Sequence, residues 1–232
     1  MDWTKRTSDP LNQKVQRELK GHIKARSEAY RGSLLDYILD RARGASVLHV
    51  GFAEHSIAYI DSPNWKHRII DEVASNLVGV DINEECVKEA INRGYQAHVA
   101  DVNQEYRLSA EFDIVIAADV IEHLDSPAAL LTYCRRAAKP EGGILITTPN
   151  PYYFLHIISA VFSYPQIPNM EHVTWISEAN MLELCRRQGV ELSRIVYVFG
   201  GGRKRWQKFV KRMFFWISPG LFCGTIAYLV KK

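Results

Sequence analysis

The feature that most constrains this chain is a repeated alternation. A short apolar run ends at a glycine or an acid, a helical pattern follows, and another apolar run begins. The runs cover residues 46–51, 77–81, 96–101, 112–119 and 143–149. Each is too short for a buried helix and rich in Val, Ile or Leu, which reads as a buried strand. Between them, residues 83–93 place Cys86, Val87, Ala90 and Ile91 on one helical face, with Gly94 just beyond the end. A second helix starts at Asp125/Ser126 with Pro127 in its first turn and stops before Pro140, the expected order of cap and breaker. Near-continuous apolar strands alternating with helices predict an α/β chain, with a parallel sheet covered on both faces.

The flanks read differently. Residues 27–43 carry Tyr30, Leu34, Leu35, Ile38 and Leu39 at helical spacing, so a helical segment is expected over 1–44 and a single domain over 45–232. From residue 149 on, four prolines (Pro149, Pro151, Pro165 and Pro168) frame an aromatic segment. A helix capped by Ser177 and stopped by Gly189 follows, then strand patterns at 190–199 and 225–230. A length of 232 residues suits one domain with a full core, and 47% hydrophobic with 24% charged residues excludes disorder or a collagen-like repeat. The four cysteines show no metal-ligand spacing, no secretory leader is visible, and no apolar run is long enough to span a bilayer. A cytoplasmic, reduced chain is the expectation.

In a doubly wound sheet, ligands sit outside the carboxyl ends of the strands, where the strand order reverses. The residues at those ends here are Gly51, Asp81, Asp101 and Asp119. Glycine permits a tight turn and a close backbone approach. An acid at the second strand end can accept both hydroxyls of a ribose, and an acid at the third can take an adenine amino group. Singly, each is as easily a turn glycine or a capping acid. In consistent order they point to a nucleoside-type ligand, also touched by the adjoining Phe52, Ala53, Ile82, Val102, Val120 and His123.

Residues 112–124, FDIVIAADVIEHL, resemble the fourth-strand motif of class I S-adenosylmethionine-dependent methyltransferases, and residues 139–150, KPEGGILITTPN, resemble the fifth-strand region. With 47–51 and 79–81 the resemblance spans about residues 45–200. It implies a Rossmann-like, mostly parallel seven-stranded sheet whose last strand is antiparallel, with S-adenosylmethionine as cofactor. The first motif departs from the family pattern: His49 stands where an acid is usual, and Ala53 and His55 stand where glycines are. Gly51 and Asp81 are also 30 residues apart, against about 20 in the dinucleotide fingerprint. The extra segment resembles that of methyltransferases of surface-glycan biosynthesis.

A sulfonium is already activated, so the protein must place the acceptor in line and remove its proton. For a hydroxyl acceptor, histidine suits the base near neutral pH. By resemblance to O-methyltransferases, His172 in the linker before Ser177 is the expected base, although a histidine there could equally brace the loop. His123 is read as a residue shaping the cofactor pocket. His55, His67 and Tyr153 are expected to contact the acceptor, the last within a lid over 151–176. No metal is expected, since the close spacing of Asp119, Glu122 and His123 is no known ligand signature. A sugar or glycan hydroxyl is the first acceptor reading and a quinone-like or phenolic molecule the second. A catalytically silent scaffold is the alternative of another class, motivated by His49, Ala53 and His55.

The net charge of +3 hides an asymmetry: residues 203–232 hold eight basic residues and no acid, so the remainder carries −5. Over 203–217, Trp206, Phe209, Val210, Met213 and Ile217 fall on one helical face with Lys204, Lys208, Lys211 and Arg212 largely opposite. A basic amphipathic helix of this kind suits an anionic membrane surface, here the inner face. A helix simply packed on the sheet is the alternative, and the separate apolar stripe argues against nucleic acid.

Overall fold

The computed structural model describes residues 2–232 apart from 55, 105–107, 166–168, 201–208 and 210–212. Its elements are helix α1 (Gln13–Arg26), strand β1 (Ser27–Tyr30), α2 (Leu34–Ala42), β2 (Ser46–Val50), α3 (Lys66–Asp71), β3 (Asn76–Asp81), α4 (Glu84–Asn92), β4 (Ala97–Val99), β5 (Phe112–Ala118), α5 (Pro127–Ala137), β6 (Ala138–Pro149), α6 (Phe154–Val161), α7 (Glu178–Gln188), β7 (Glu191–Val198) and β8 (Thr225–Lys231). The expected strands thus form within a few residues of their sequence limits.

The strands join in one sheet of order β1-β7-β8-β6-β5-β2-β3-β4. β8 runs antiparallel to both β6 and β7, and the other neighbours pair in parallel. The antiparallel last strand is as expected, but the sheet has eight strands rather than seven. The eighth is β1, in a stretch whose side-chain spacing reads as helix. Ser27–Tyr30 instead pairs in parallel with Ile195–Val198 at the sheet edge. The helix starts only at Leu34, because Ser33 forms a reciprocal capping box with Asp36. Of the side chains read at helical spacing only Tyr30 falls in this stretch, and it could not outweigh an open sheet edge and a capping signal three residues downstream.

Both faces of the central strands are buried, which explains their unbroken apolar character. Leu48, Val50, Val115, Ala117, Ile144 and Ile146 pack with α5 and α7, while Val47, Ile114, Ile116 and Leu145 pack with α2. Adjacent residues belong to opposite faces, as the two-residue period of a strand requires. Full burial of each such side chain contributes roughly 1.5–3 kcal/mol, so the sheet is a rigid base for its strand ends. The chain adds β3 and β4 on one side of β2, then crosses to add β5 on the other, which puts the switch point at the end of β2. No described helix is long and apolar enough to cross a membrane. Most of the basic 203–217 stretch, including Trp206 and every lysine and arginine in it, lies outside the described residues.

Candidate functional site

At the switch point, Gly51 leaves β2 with φ 72°, and a Cβ there would meet Val120 Cγ2 at 2.5 Å. Backbone conformation and close approach both demand glycine. Asp81, ending β3, is held by two backbone amides: the N–H of Ala53 donates to Oδ2 and that of Asn83 to Oδ1, each at 3.0 Å. These bonds tie the loop after β2 to the end of β3. Beyond β4, Asp101 Oδ1 accepts from the backbone and side-chain nitrogens of Asn103, both at 2.9 Å.

Asp119 follows β5 in the left-handed region, φ 59°, a conformation costing a non-glycine residue about 1–3 kcal/mol. Thr147 of β6 secures it, because the Thr147 hydroxyl donates to Asp119 Oδ1 at 3.0 Å and the Asp119 N–H donates to the Thr147 carbonyl at 3.1 Å. Gly51, Asp81, Ile82, Asp101, Val102, Asp119, Val120, His123 and His172 all line one cavity of about 630 Å³, within the 300–1,000 Å³ typical of small-molecule sites.

The facing wall is stapled by long-range contacts. The Glu122 carbonyl accepts the N–H groups of Val173 at 2.9 Å and Thr174 at 3.2 Å, and the Thr174 hydroxyl donates to the Ile121 carbonyl at 3.3 Å. The turn after β5 thereby carries the 169–176 linker, and His172 enters the cavity. Its Nε2 lies 3.9 Å from Glu122 Oε1, and its ring meets His123 edge-on at 4.8 Å. Glu122 is 1% exposed and neither carboxylate oxygen has a hydrogen bond of normal geometry. Burial and the nearby Asp119 charge push its carboxyl up to about 7, an effect that its own backbone N–H and then the Thr148 hydroxyl only partly offset. Sequence reasoning expected no metal, yet Glu122, His123 and His172 bring three donor atoms within 4.8 Å of one another, so a cation could be held there.

Several sequence candidates sit elsewhere. His67 is 1% exposed and its Nδ1 lies 3.2 Å from Nδ1 of His49, beneath β2 rather than in the cavity. Phe52, Trp65 and Tyr95 pack around it. Burial drives its pKa down to about 3 and that of His49 well below the usual value, so both rings are neutral. His67 is therefore withdrawn as an acceptor contact, and His49 is a core histidine. The Phe52 ring belongs to the same cluster, and Ala53 acts through its N–H on Asp81; neither residue lines the cavity. Tyr153 caps α6 and packs on Phe154 and His156, also away from the cavity lining. His55 lies outside the described residues. Sequence reasoning missed Lys66 and Glu54, which do line the cavity; the only hint was the polar insertion itself.

The chain matches the methyltransferase-domain family over residues 22–194. Among curated relatives, a ubiquinone biosynthesis O-methyltransferase of Neisseria meningitidis serogroup C is 28% identical over 174 residues, covering 68% of this chain and 70% of the relative. One from Thiobacillus denitrificans is 26% identical over 135 residues, covering 53% and 58%. Several further ubiquinone biosynthesis O-methyltransferases are matched over about half of their own length. Among solved structures, a S-adenosylmethionine-dependent methyltransferase from Archaeoglobus fulgidus superposes with TM-score 0.58 at 19% identity, covering 95% of this chain and 100% of that one. Magnesium protoporphyrin IX methyltransferase from Synechocystis, solved with bound S-adenosylhomocysteine, gives 0.55 at 14% identity, covering 99% and 93%. At such identities the likeness shows the fold.

Proposed function

Because the chain belongs to the methyltransferase-domain family, we propose that it is an S-adenosylmethionine-dependent O-methyltransferase with His172 as its base. One observation carries this reading. The strand-end residues suited to a nucleoside, Gly51, Asp81, Asp101 and Asp119, share one cavity with a histidine on the opposite wall. The site fits the cofactor chemically. Gly51 leaves a cradle that a Cβ would close. Asp81 is fixed by two amides and lines the cavity, and each of its oxygens keeps acceptor capacity to which ribose hydroxyls could donate. The carboxylates along the wall suit a cation.

When bound, the cofactor supplies an electrophilic methyl group on sulfur. The chain's own residues do the rest. His172 accepts the acceptor's hydroxyl proton at one ring nitrogen, and Glu122 at 3.9 Å compensates the imidazolium that forms. A positioned base of this kind contributes about 10²–10⁴-fold.

For the acceptor, the names of the relatives favour the quinone-like, phenolic alternative over the sugar hydroxyl. Exposed apolar side chains near the lid, including Ile157, Val161, Phe162 and Tyr164, also suit a lipophilic molecule. The exposed Phe209, Met213, Trp216 and Ile217, beside six basic residues in sequence, support a membrane-surface role. Flotation with phosphatidylglycerol vesicles tests that role, and equal recovery with neutral vesicles would refute it. For the main reading the test is calorimetry on the folded chain. S-adenosylhomocysteine should bind at one site, and absence of heat with both it and S-adenosylmethionine would sink the proposal.

A further inference from the structure

The family pattern asks for an acid at the end of the first central strand to orient the amino end of the cofactor, and this chain has His49 there. That ring is 2% exposed, neutral and engaged with His67, so it cannot take an ammonium group. A zwitterionic amino-acid end needs both a cation and an anion from the protein. Among the described residues lining the cavity, only one lysine or arginine is present, Lys66.

Lys66 is the first residue of α3, inside the long insertion between β2 and β3. Its Nζ lies 3.8 Å from Glu54 Oε1 and 3.8 Å from Asp119 Oδ2. Both distances are too long for hydrogen bonds. The ammonium is held by charge, with donors left over for a ligand. Glu54 and Asp119 both hold left-handed backbone, φ 55° and 59°, and both carboxylates lie at the same lysine. The loop carrying Glu54 is the one whose Ala53 N–H fixes Asp81. Glu54 thus follows directly on the amide that fixes Asp81, and the charged trio lines the same cavity as Gly51 and Asp81.

We propose that Lys66 and Glu54, supplied by the insertion, form the subsite for the amino-acid end of the cofactor, in place of the acid that His49 replaces. The α-carboxylate pairs with the Lys66 ammonium, and the α-ammonium pairs with Glu54, with Asp119 as the second anion. The trio carries one positive and two negative charges. The ligand's own carboxylate and ammonium cancel, so binding exchanges long ion pairs for charge-assisted hydrogen bonds without adding net charge at this end. This assignment rests on the cofactor reading above.

Two probes separate the assignment from that reading. S-adenosylhomocysteine carries the amino-acid end, while 5′-methylthioadenosine keeps the thioether nucleoside and lacks it. Calorimetry on the full chain should show Lys66→Met weakening S-adenosylhomocysteine by about 10–100-fold, with methylthioadenosine affinity essentially unchanged. Glu54→Gln should shift the same probe in the same direction, and Lys66→Arg should restore binding. Unchanged S-adenosylhomocysteine affinity in Lys66→Met, or an equal loss for both probes, would overturn the proposal. Wild-type protein that binds methylthioadenosine as tightly as S-adenosylhomocysteine would overturn it alone. Wild-type protein that binds neither would take the cofactor reading down with it.

Discussion

On the wall built by β2, β3 and β5, each functional residue sits at its own strand end and is held by the turn or by neighbouring strands: Gly51 by its turn, Asp81 by two amides, Asp119 by the hydroxyl and carbonyl of Thr147. The facing wall is anchored at longer range. His172 reaches the cavity on a linker in which Val173 and Thr174 hydrogen-bond to residues some fifty positions earlier in the chain. The first wall is built chiefly on the ends of the sheet strands. The second depends on a linker anchored at a few points, so under the proposed function changes there should affect the acceptor more than the cofactor.

That contrast breaks most sharply at His172. If the walls are functionally separate, His172→Ala should lower turnover by about 10²–10⁴-fold while calorimetric affinity for S-adenosylhomocysteine stays unchanged. Equal turnover would clear His172 as the base, and a parallel loss of affinity would show that the walls are coupled. The reciprocal change is the next largest. Asp81→Ala removes a carboxylate acceptor and leaves the Ala53 and Asn83 amides without their partner, so S-adenosylhomocysteine should bind about 10–100-fold more weakly. Unchanged affinity would remove Asp81 from the ribose site.

The same contrast decides what could be read in advance. The strand-end acids were legible because a short apolar run ending in Asp specifies both a strand and the position of its last side chain. His172 was legible only by resemblance, since no periodicity announces a linker stapled to Glu122 and Ile121. Within the insertion the limit is sharper still. His67 and Lys66 are neighbours, yet one is sealed among Phe52, Trp65 and Tyr95 and the other lines the cavity. Residue type favoured the histidine as a site residue. The one-residue rotation of α3 that selects the lysine is set by packing of Trp65, whose indole donates to the Phe52 carbonyl at 2.9 Å, and no local pattern encodes it. β1 was hidden for a related reason, because its partner strand β7 lies more than 160 residues away and its own side chains continue the spacing of α2.

The smallest effect sits where the two walls meet, at Glu122. Its carboxyl titrates near 7 in the folded chain, against an ordinary value of 4.5. Between those values the native state keeps a proton that the unfolded chain releases, so stability falls as pH rises through this window, and the full cost of the buried charge is felt above pH 7. Glu122→Gln removes that charge. The variant should therefore be more stable than wild type at pH 8 by about 1–3 kcal/mol, and the gain should shrink towards zero below pH 5. Urea unfolding at both pH values, in chelator so that no cation occupies the Glu122–His123–His172 group, reads the difference directly. A gain of equal size at both pH values would place its origin in packing rather than charge. Turnover should move the opposite way, because His172 loses the carboxylate 3.9 Å from its Nε2. A residue that costs stability at working pH while supporting the base is the expected mark of a site shaped by chemistry rather than by the fold.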